Sequence, residues 1–282
     1  MNVSASYGST LEPGFSVIIP SLNEADWIEN AIRSVKARDP EVEIIVVDGG
    51  SVDCTARLAL HEGVPVLPSP RGRGIQCNAG ARVASGDILA FLHADTMLPS
   101  GAFKLLAEYF SNPEIQIGTF RLQFDKPGWL LRFYGFFTRW DSLFTRFGDQ
   151  CIVIRRSFFE ELGGFPDWQL FEDVHLLRLA RQRTKIHSFR ARVESSSRRF
   201  LRMGLIRCQL LNAWLILQYL LGISPERLAS RYASRQLLLP GFLRSMGYTV
   251  LGVMRTCIQR IGHYLSSRFL SLRNFRNSGS SG

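Results

Sequence analysis

Cysteine is scarce in this sequence and never in pairing positions: five residues (Cys54, Cys77, Cys151, Cys208, Cys257), an odd number, none in CxxC spacing. That excludes a disulfide framework and a cysteine-held zinc site, and it suits a reducing compartment. The opening residues are not expected to be a secretory leader either. The first fourteen residues, MNVSASYGSTLEPG, have neither a basic end nor an apolar centre, so 1–14 is expected to be a flexible leader. Acid is missing further on: after Glu226 there is no Asp or Glu, while nine arginines follow from Arg227 to Arg276. That tail carries +9 of the net +10, and residues 1–226 carry +1. The basic balance therefore describes the tail and says little about what the main domain binds.

What is present reads as one large α/β domain with an appended piece. Hydrophobic content of 46% and charged content of 21% are ordinary for a globular chain. Short apolar runs bounded by polar turns predict buried strands at Phe15–Pro20, Glu43–Asp48, Val64–Leu67 and within Asp87–Asp95 (DILAFLHAD). Helical periods predict helices opening at Ser21 and running to about Arg38, then at Cys54–Glu62, Gly72–Ser85 and Gly101–Phe110. Strands alternating with helices of this length imply parallel βαβ units in a doubly wound sheet. Beyond Phe110 the pattern loosens. Strands are expected at Ile115–Phe124, Gln150–Ile154 and Lys185–Val193, an aromatic-rich helix at Trp129–Phe147, and a helix at Glu172–Arg183.

Open α/β sheets bind ligands at the carboxyl ends of their strands. Three successive ends here carry polar clusters: Asn23 and Glu24, then Asp48, then His93 and Asp95. The usual cofactor fingerprints do not accompany them. Dinucleotide binding wants G-x-G-x-x-G after the first strand, where this chain has SLNEAD. The string Gly72-Arg73-Gly74-Ile75-Gln76-Cys77 lacks the third glycine and follows the third strand, and no Walker lysine loop is present.

The strings VIIPSLNE, VVDGGSVDCT, GRGIQCNAGA, HADT and GGFPDWQLFEDV, in that order over roughly residues 15–200, resemble a family 2 glycosyltransferase of the GT-A fold. RGRGIQCNAGA and SSSRRF resemble a small bacterial subgroup of undefined substrate. The resemblance implies inverting transfer of a sugar from a nucleotide-diphosphate donor, with a divalent cation (Mg²⁺ or Mn²⁺). It would place Pro20, Asn23, Glu24 and Asp48 around the nucleoside, with Ser51 and Asp53 supporting that loop. Arg73, Gly74 and Asn78 would flank the base or phosphate side. Asp95 would stand for the last Asp of the family's DxD motif, at the metal and diphosphate, and Asp173 for the general base. Where the family has the first Asp of DxD, this chain has His93, a neutral imidazole able to meet metal, ribose or a diphosphate oxygen. Arg198 and Arg199 are candidates for the donor diphosphate.

Each of these residues also has a plainer use. Asp95 suits a turn, Asp53 a helix cap, Glu172 and Asp173 a helix N-terminus, His93 a structural hydrogen bond, and the arginine pair a solvated surface. Two other functions compete as well. A sugar-phosphate nucleotidyltransferase would want a glycine- and lysine-rich first loop, which is missing. A non-catalytic membrane-surface module retaining the fold would be compatible with His93 and the tail.

Residues 201–282 are expected to form that tail. Eighteen uncharged residues separate Arg207 from Glu226, about 27 Å of helix, interrupted by Gln209, Asn212 and Gln218. A buried or interfacial helix is expected there in preference to a crossing one. Leu251, Met254, Ile258, Ile261, Leu265, Phe269 and Leu272 recur at helical spacing opposite Arg255, Gln259, Arg260, His263 and Ser267, a basic amphipathic helix. The expectation is a cytoplasmic protein, peripheral on the inner face of the membrane, with a lipid or lipid-linked acceptor. The alternative is that the stripe docks on the protein's own domain. No nucleic-acid motif accompanies the charge.

Overall fold

The computed structural model describes residues 14–39, 41–126, 128–139, 141 and 148–235. The chain divides into two compact units, Met1–Ala213 and Trp214–Gly282. In the first, β1 (Phe15–Ser21), β2 (Glu43–Asp48), β3 (Val66–Pro68) and β4 (Ile88–Phe91) pair in parallel in the order β3-β2-β1-β4. The sheet continues through β7 (Ile152–Arg155), β6 (Ile117–Phe124), β8 (His187–Ser195) and β5 (Thr96–Met97). Strands β4–β7 and β6–β7 are antiparallel, β6–β8 parallel, and β5–β8 antiparallel, so four of seven pairings are parallel and the sheet is mixed toward one edge.

The central strands are near-continuously apolar because both faces are covered. Val17, Ile19, Val46, Ala90 and Leu92 join one buried cluster with residues of α1 (Ile28–Lys36) and α4 (Ala102–Phe110). Ile18, Ile45, Val47, Leu89 and Phe91 join the other, with α3 (Arg73–Val83), α6 (Arg156–Glu161) and α7 (Glu172–Arg181). Successive strand residues thus feed opposite cores, as the pleat requires. Between the strands α2 (Thr55–His61) completes the first half, and α5 (Trp129–Phe137) packs on β6. After β8 come α8 (Arg198–Met203), α9 (Leu205–Leu220) and α10 (Pro225–Arg235).

The first helix differs from expectation. It begins at Ile28 and not at Ser21, because Ser21 ends β1 and residues 22–27 form a loop in which Asn23 takes φ +55°. Trp27 and Ile28 N–H groups donate to the Glu24 carbonyl, and only from Ile28 do buried residues recur at helical spacing (Ile28, Ala31, Ile32, Val35). The aromatic helix ends at Phe137, capped at Thr138, earlier than Phe147; residues 140 and 142–147 lie outside the described residues. Short β5 and α6 have too few residues for a period to show. The leader to residue 13 and the amphipathic stretch Leu251–Leu272 also lie outside the described residues. Among the described residues, no helix is long and apolar enough to cross a membrane.

Close packing of α3 on the sheet depends on Gly80. A Cβ there would overlap Ile18 of β1 and lie 3.0 Å from Val47 Cγ2 of β2. Both neighbours are fully buried, so neither has room to yield. Gly80→Val should destabilise the domain by about 1–3 kcal/mol or more. A urea melt should show this as a lower midpoint at unchanged slope.

Candidate functional site

The parallel strands β1, β2 and β4 end on one edge of the sheet, and the loops that follow them meet there. Asp48, the last residue of β2, is buried and accepts from Gly50 N (3.1 Å), Ser51 N (2.9 Å) and Ser51 Oγ (2.5 Å). Ser51 Oγ in turn accepts from Asn23 N (2.9 Å), and Asn23 Oδ1 accepts from Val52 N (2.9 Å). The two loops therefore lock each other, and the left-handed Asn23 is held by contacts on both sides. Pro20 pairs with Val47 beneath them. Asp53 closes the same corner, accepting from Thr55 N (2.9 Å), Thr55 Oγ1 (2.5 Å) and Ala25 N (3.2 Å). Burial is the largest single influence and raises its pKa, but the hydrogen bonds from Thr55 and Ala25 together outweigh it and hold the carboxyl below the ordinary carboxylate range.

Glu24, Asp95 and Arg198 form the next cluster. One guanidinium nitrogen of Arg198 donates to Glu24 Oε1 (2.5 Å) and Oε2 (2.6 Å), and lies 3.3 Å from Asp95 Oδ2. The short strand β5 brings them together: Ser196 N donates to the Asp95 carbonyl (3.1 Å) and Thr96 pairs with Ser195, so the start of α8 lands beside the end of β4. Trp27 flanks the guanidinium, 5.7 Å from ring centre to Cζ. Burial raises the carboxyl pKa of both Glu24 and Asp95, and Arg198 only partly offsets it. Two carboxylates share one cation. That surplus of negative charge, with oxygen donors only, fits a hard divalent ion such as Mg²⁺ or Mn²⁺. The side chain of Arg199 lies outside the described residues.

A third group lies on the far side of His93. Arg73, first in α3, pairs through Nε with the Glu172 carboxylate, and its Nη1 is 3.5 Å from His93 Nε2. Glu172 is 1% exposed and its Oε2 has no hydrogen-bond partner among the described residues. Burial raises its pKa, with Arg73 opposing and Asp173 reinforcing. Asp173, also buried at the start of α7, accepts from Gly148 N (2.6 Å) and Val174 N (2.8 Å). Arg73, His93, Gly148, Phe165, Glu172 and Asp173 line one small cleft.

Two residues of the expected set work by bringing walls together. Asn78 grips the loop before α7 from both ends of its amide, donating to the Phe165 carbonyl (2.7 Å) and accepting from Phe165 N (3.0 Å). Gly74 lets that loop approach α3, since a Cβ there would lie 2.5 Å from the Pro166 carbonyl oxygen. Sequence reading missed Glu172 as the partner of Arg73. It also missed Gln76, a buried side chain donating to the Ser21 (2.8 Å) and Val47 (2.7 Å) carbonyls and so joining the ends of β1 and β2. The signal for Glu172 was its place beside Asp173; nothing in its neighbours marked Gln76.

The His93 imidazole is pushed down to about 3, first by burial and then by the Arg73 charge, so it is neutral at physiological pH. The folded value lies below the unfolded 6.5. As pH falls from 6.5 toward 3, the unfolded chain takes up a proton that the folded chain refuses, and stability drops. His93→Gln should lose that part of the acid sensitivity. Melting temperatures of both proteins compared from about pH 7.5 to about pH 4.5 should diverge from parallel below 6.5; parallel curves would show that the ring protonates freely.

Comparison with known proteins places this arrangement. Residues 16–163 match the profile of glycosyl transferase family 2. The uncharacterized glycosyltransferase alr2836 of Nostoc sp. is 32% identical over 108 residues, 36% of this chain and 34% of that protein. Glycosyltransferase AglE of Haloferax volcanii is 29% identical over 190 residues, 61% of this chain and 62% of that protein. S. aureus TarS 1–349, solved in complex with UDP-GlcNAc, shares the fold with a TM-score of 0.52 at 18% identity, covering 65% of this chain and 58% of that one. The chain spans less than two thirds of the length of each of these.

Proposed function

The chain belongs to glycosyl transferase family 2, and on that premise we propose that it moves a sugar from a nucleoside-diphosphate donor to an acceptor hydroxyl with inversion at the anomeric carbon. The observation that carries this reading is the contrast between two aspartates, Asp95 partly buried and Asp173 buried. Asp95 faces a guanidinium and a second carboxylate, whereas Asp173 is held by backbone N–H groups and makes no ion pair among the described residues. The first environment suits a bound diphosphate and the second suits a base.

Asp95, with Glu24 beside it, would hold a divalent cation, which when bound neutralises charge growing on the leaving diphosphate. Arg198 and Arg73 face the same region and can take phosphate oxygens, as planar guanidinium groups do well. The interlocked loops at Asn23, Asp48 and Ser51 present a rigid wall to the nucleoside. Asp173 accepts the proton of the acceptor hydroxyl while that oxygen bonds to the anomeric carbon; the bond from that carbon to the diphosphate breaks on the opposite side. Gly148 N–H fixes the carboxylate by one oxygen.

The acceptor is inferred to be lipid or lipid-linked, and the protein peripheral on the inner face of the membrane. The support is the tail, with nine arginines and no acid after Glu226. A thermal-shift panel of nucleotide sugars with and without Mn²⁺ tests the donor, with UDP-sugars first because TarS was solved with UDP-GlcNAc. At least one nucleotide sugar should raise the melting temperature only when Mn²⁺ is present. If none does so with metal supplied, the transferase reading fails.

A further inference from the structure

Strands β6 and β8 fall out of step beside the proposed base. From Thr119 to Arg121 β6 advances two residues, while β8 advances four, from Ser188 to Arg192. An even surplus keeps the alternation of both strands in phase. Phe120, Leu122, Phe189 and Val193 enter the core cluster shared with α4, whereas Ile117 and Ile186 enter the one shared with α7. Arg121, Arg190 and Arg192 therefore stand on the α7 face of the sheet, the face of Asp173. Thr119 joins them to it: its Oγ1 donates to Gln150 Oε1 at 3.4 Å, and Gln150 lies just after Gly148, whose N–H holds Asp173. Arg121 comes one strand repeat later, about 7 Å further toward the carboxyl edge.

These three guanidinium groups form no salt bridge among the described residues. The acid next in register, Glu194, pairs with Gln123 and accepts from its amide nitrogen at 3.3 Å. Arg190 and Arg192 are exposed, and water can solvate them. Arg121 is half-buried, and its enclosed Nε has no hydrogen-bond partner; Ser188 Oγ, one pair away on the same face, is enclosed and unpartnered too. An enclosed guanidinium N–H left unpaired costs stability, and a second arginine across the ladder adds repulsion. Packing explains neither. An anion lying against the two strands would answer both, and a phosphoryl group brings the charge and the oxygens that guanidinium forks take best.

We propose that Arg121 and Arg192, with Ser188 and Arg190 beside them, hold a phosphoryl group on the acceptor whose hydroxyl reacts at Asp173. This rests on the transferase reading above and names the chemical class of its acceptor. A lipid phosphate and a soluble phosphate ester share that chemistry.

The test is calorimetric titration of the full chain with glycerol 3-phosphate, dodecyl phosphate or glycerol. Both esters should bind and glycerol should not. R121Q/R192Q should weaken the esters about tenfold, while Lys104→Gln, an exposed cation on α4 against the other face, should leave them unchanged. In phosphate-free buffer R121Q/R192Q should melt above wild type, since it removes the repulsion. Should that variant fail to fold by circular dichroism, Arg192→Gln alone replaces it, with a smaller loss in the same direction. Tighter binding of dodecyl phosphate supports a lipid-borne phosphate, and tighter binding of glycerol 3-phosphate a soluble one. The proposal is overturned if neither ester binds, if binding survives in R121Q/R192Q, or if Lys104→Gln weakens it equally. Displacement of glycerol 3-phosphate by UDP also overturns it, because the phosphate would then occupy the donor's place. Nucleotide-sugar thermal shifts separate the two readings. Shifts retained in R121Q/R192Q with ester binding lost support an acceptor subsite; ester binding in a wild type that shifts with no nucleotide sugar leaves an anion site, and both the transferase reading and the acceptor role fall.

Discussion

Replacing Asp173 by Asn should lower transfer by about 10²–10⁴-fold while leaving nucleotide-sugar binding close to wild type. The substitution keeps the volume and removes the ability to take a proton, at the cost of the charge and one acceptor oxygen. Both carboxylate oxygens accept from backbone N–H groups, Gly148 at 2.6 Å and Val174 at 2.8 Å. Asparagine offers one acceptor and one donor to the same two N–H groups, so it must turn its NH₂ toward one of them. Some loss of stability should accompany the change, and a melt establishes how much. The diagnostic is the split between binding and turnover. A base acts in the transition state, so the Asn variant should still show the donor-induced thermal shift and lose single-turnover rate. Equal loss of both would make Asp173 a structural support for the 148 turn. Glu172→Gln provides the contrast. It removes the charge that pairs with Arg73 while leaving Asp173 its two N–H donors, so its main effect should fall on donor binding through a freed Arg73.

Much of this geometry was legible in the sequence where the chain repeats a simple period. The runs VIIP, EIIVVD and ILAF read as strands because parallel strands covered on both faces are apolar without a break. The polar residues that stop them then had to lie on one edge. The loop 22–27 was not legible, because Ser21-Leu22-Asn23-Glu24 resembles a helix start and only the tertiary grip of Ser51 and Val52 holds Asn23 at positive φ. Arg198 was legible as a candidate but its partners were not. It reaches Glu24 across 174 residues, by way of a two-residue strand, β5, that no pattern could reveal. Gln76 shows the same limit: its two carbonyl partners come from β1 and β2, and a side chain that satisfies strand ends leaves no local mark.

The Asp95 corner makes the sharpest prediction, because two variants should move metal affinity in opposite directions. Asp95→Asn removes one of two carboxylates that converge on Arg198 Nη2. Loss of a direct ligand should cost at least the roughly 10–100-fold known for losing an outer-shell partner, so the Mn²⁺-dependent part of donor binding should vanish. Arg198→Ala acts the other way. The guanidinium is the only cation paired with Glu24 and Asp95 among the described residues, and it competes for the same oxygens as an incoming ion. Without it, two partly buried carboxylates with raised pKa values face each other unneutralised. They will either share a proton or take a divalent cation more readily. Calorimetric titration of Mn²⁺ without nucleotide should therefore show tighter binding to Arg198→Ala than to wild type, and more clearly as pH rises, because a shared proton competes with the ion. The same variant should bind nucleotide sugar less well, since the donor diphosphate loses a guanidinium contact. Tighter metal with weaker donor is a combination that a purely structural Arg198 would not produce. If Arg198→Ala weakens both, the arginine organises the corner, and Glu24 and Asp95 are carboxylates of an ion pair with no opening for metal.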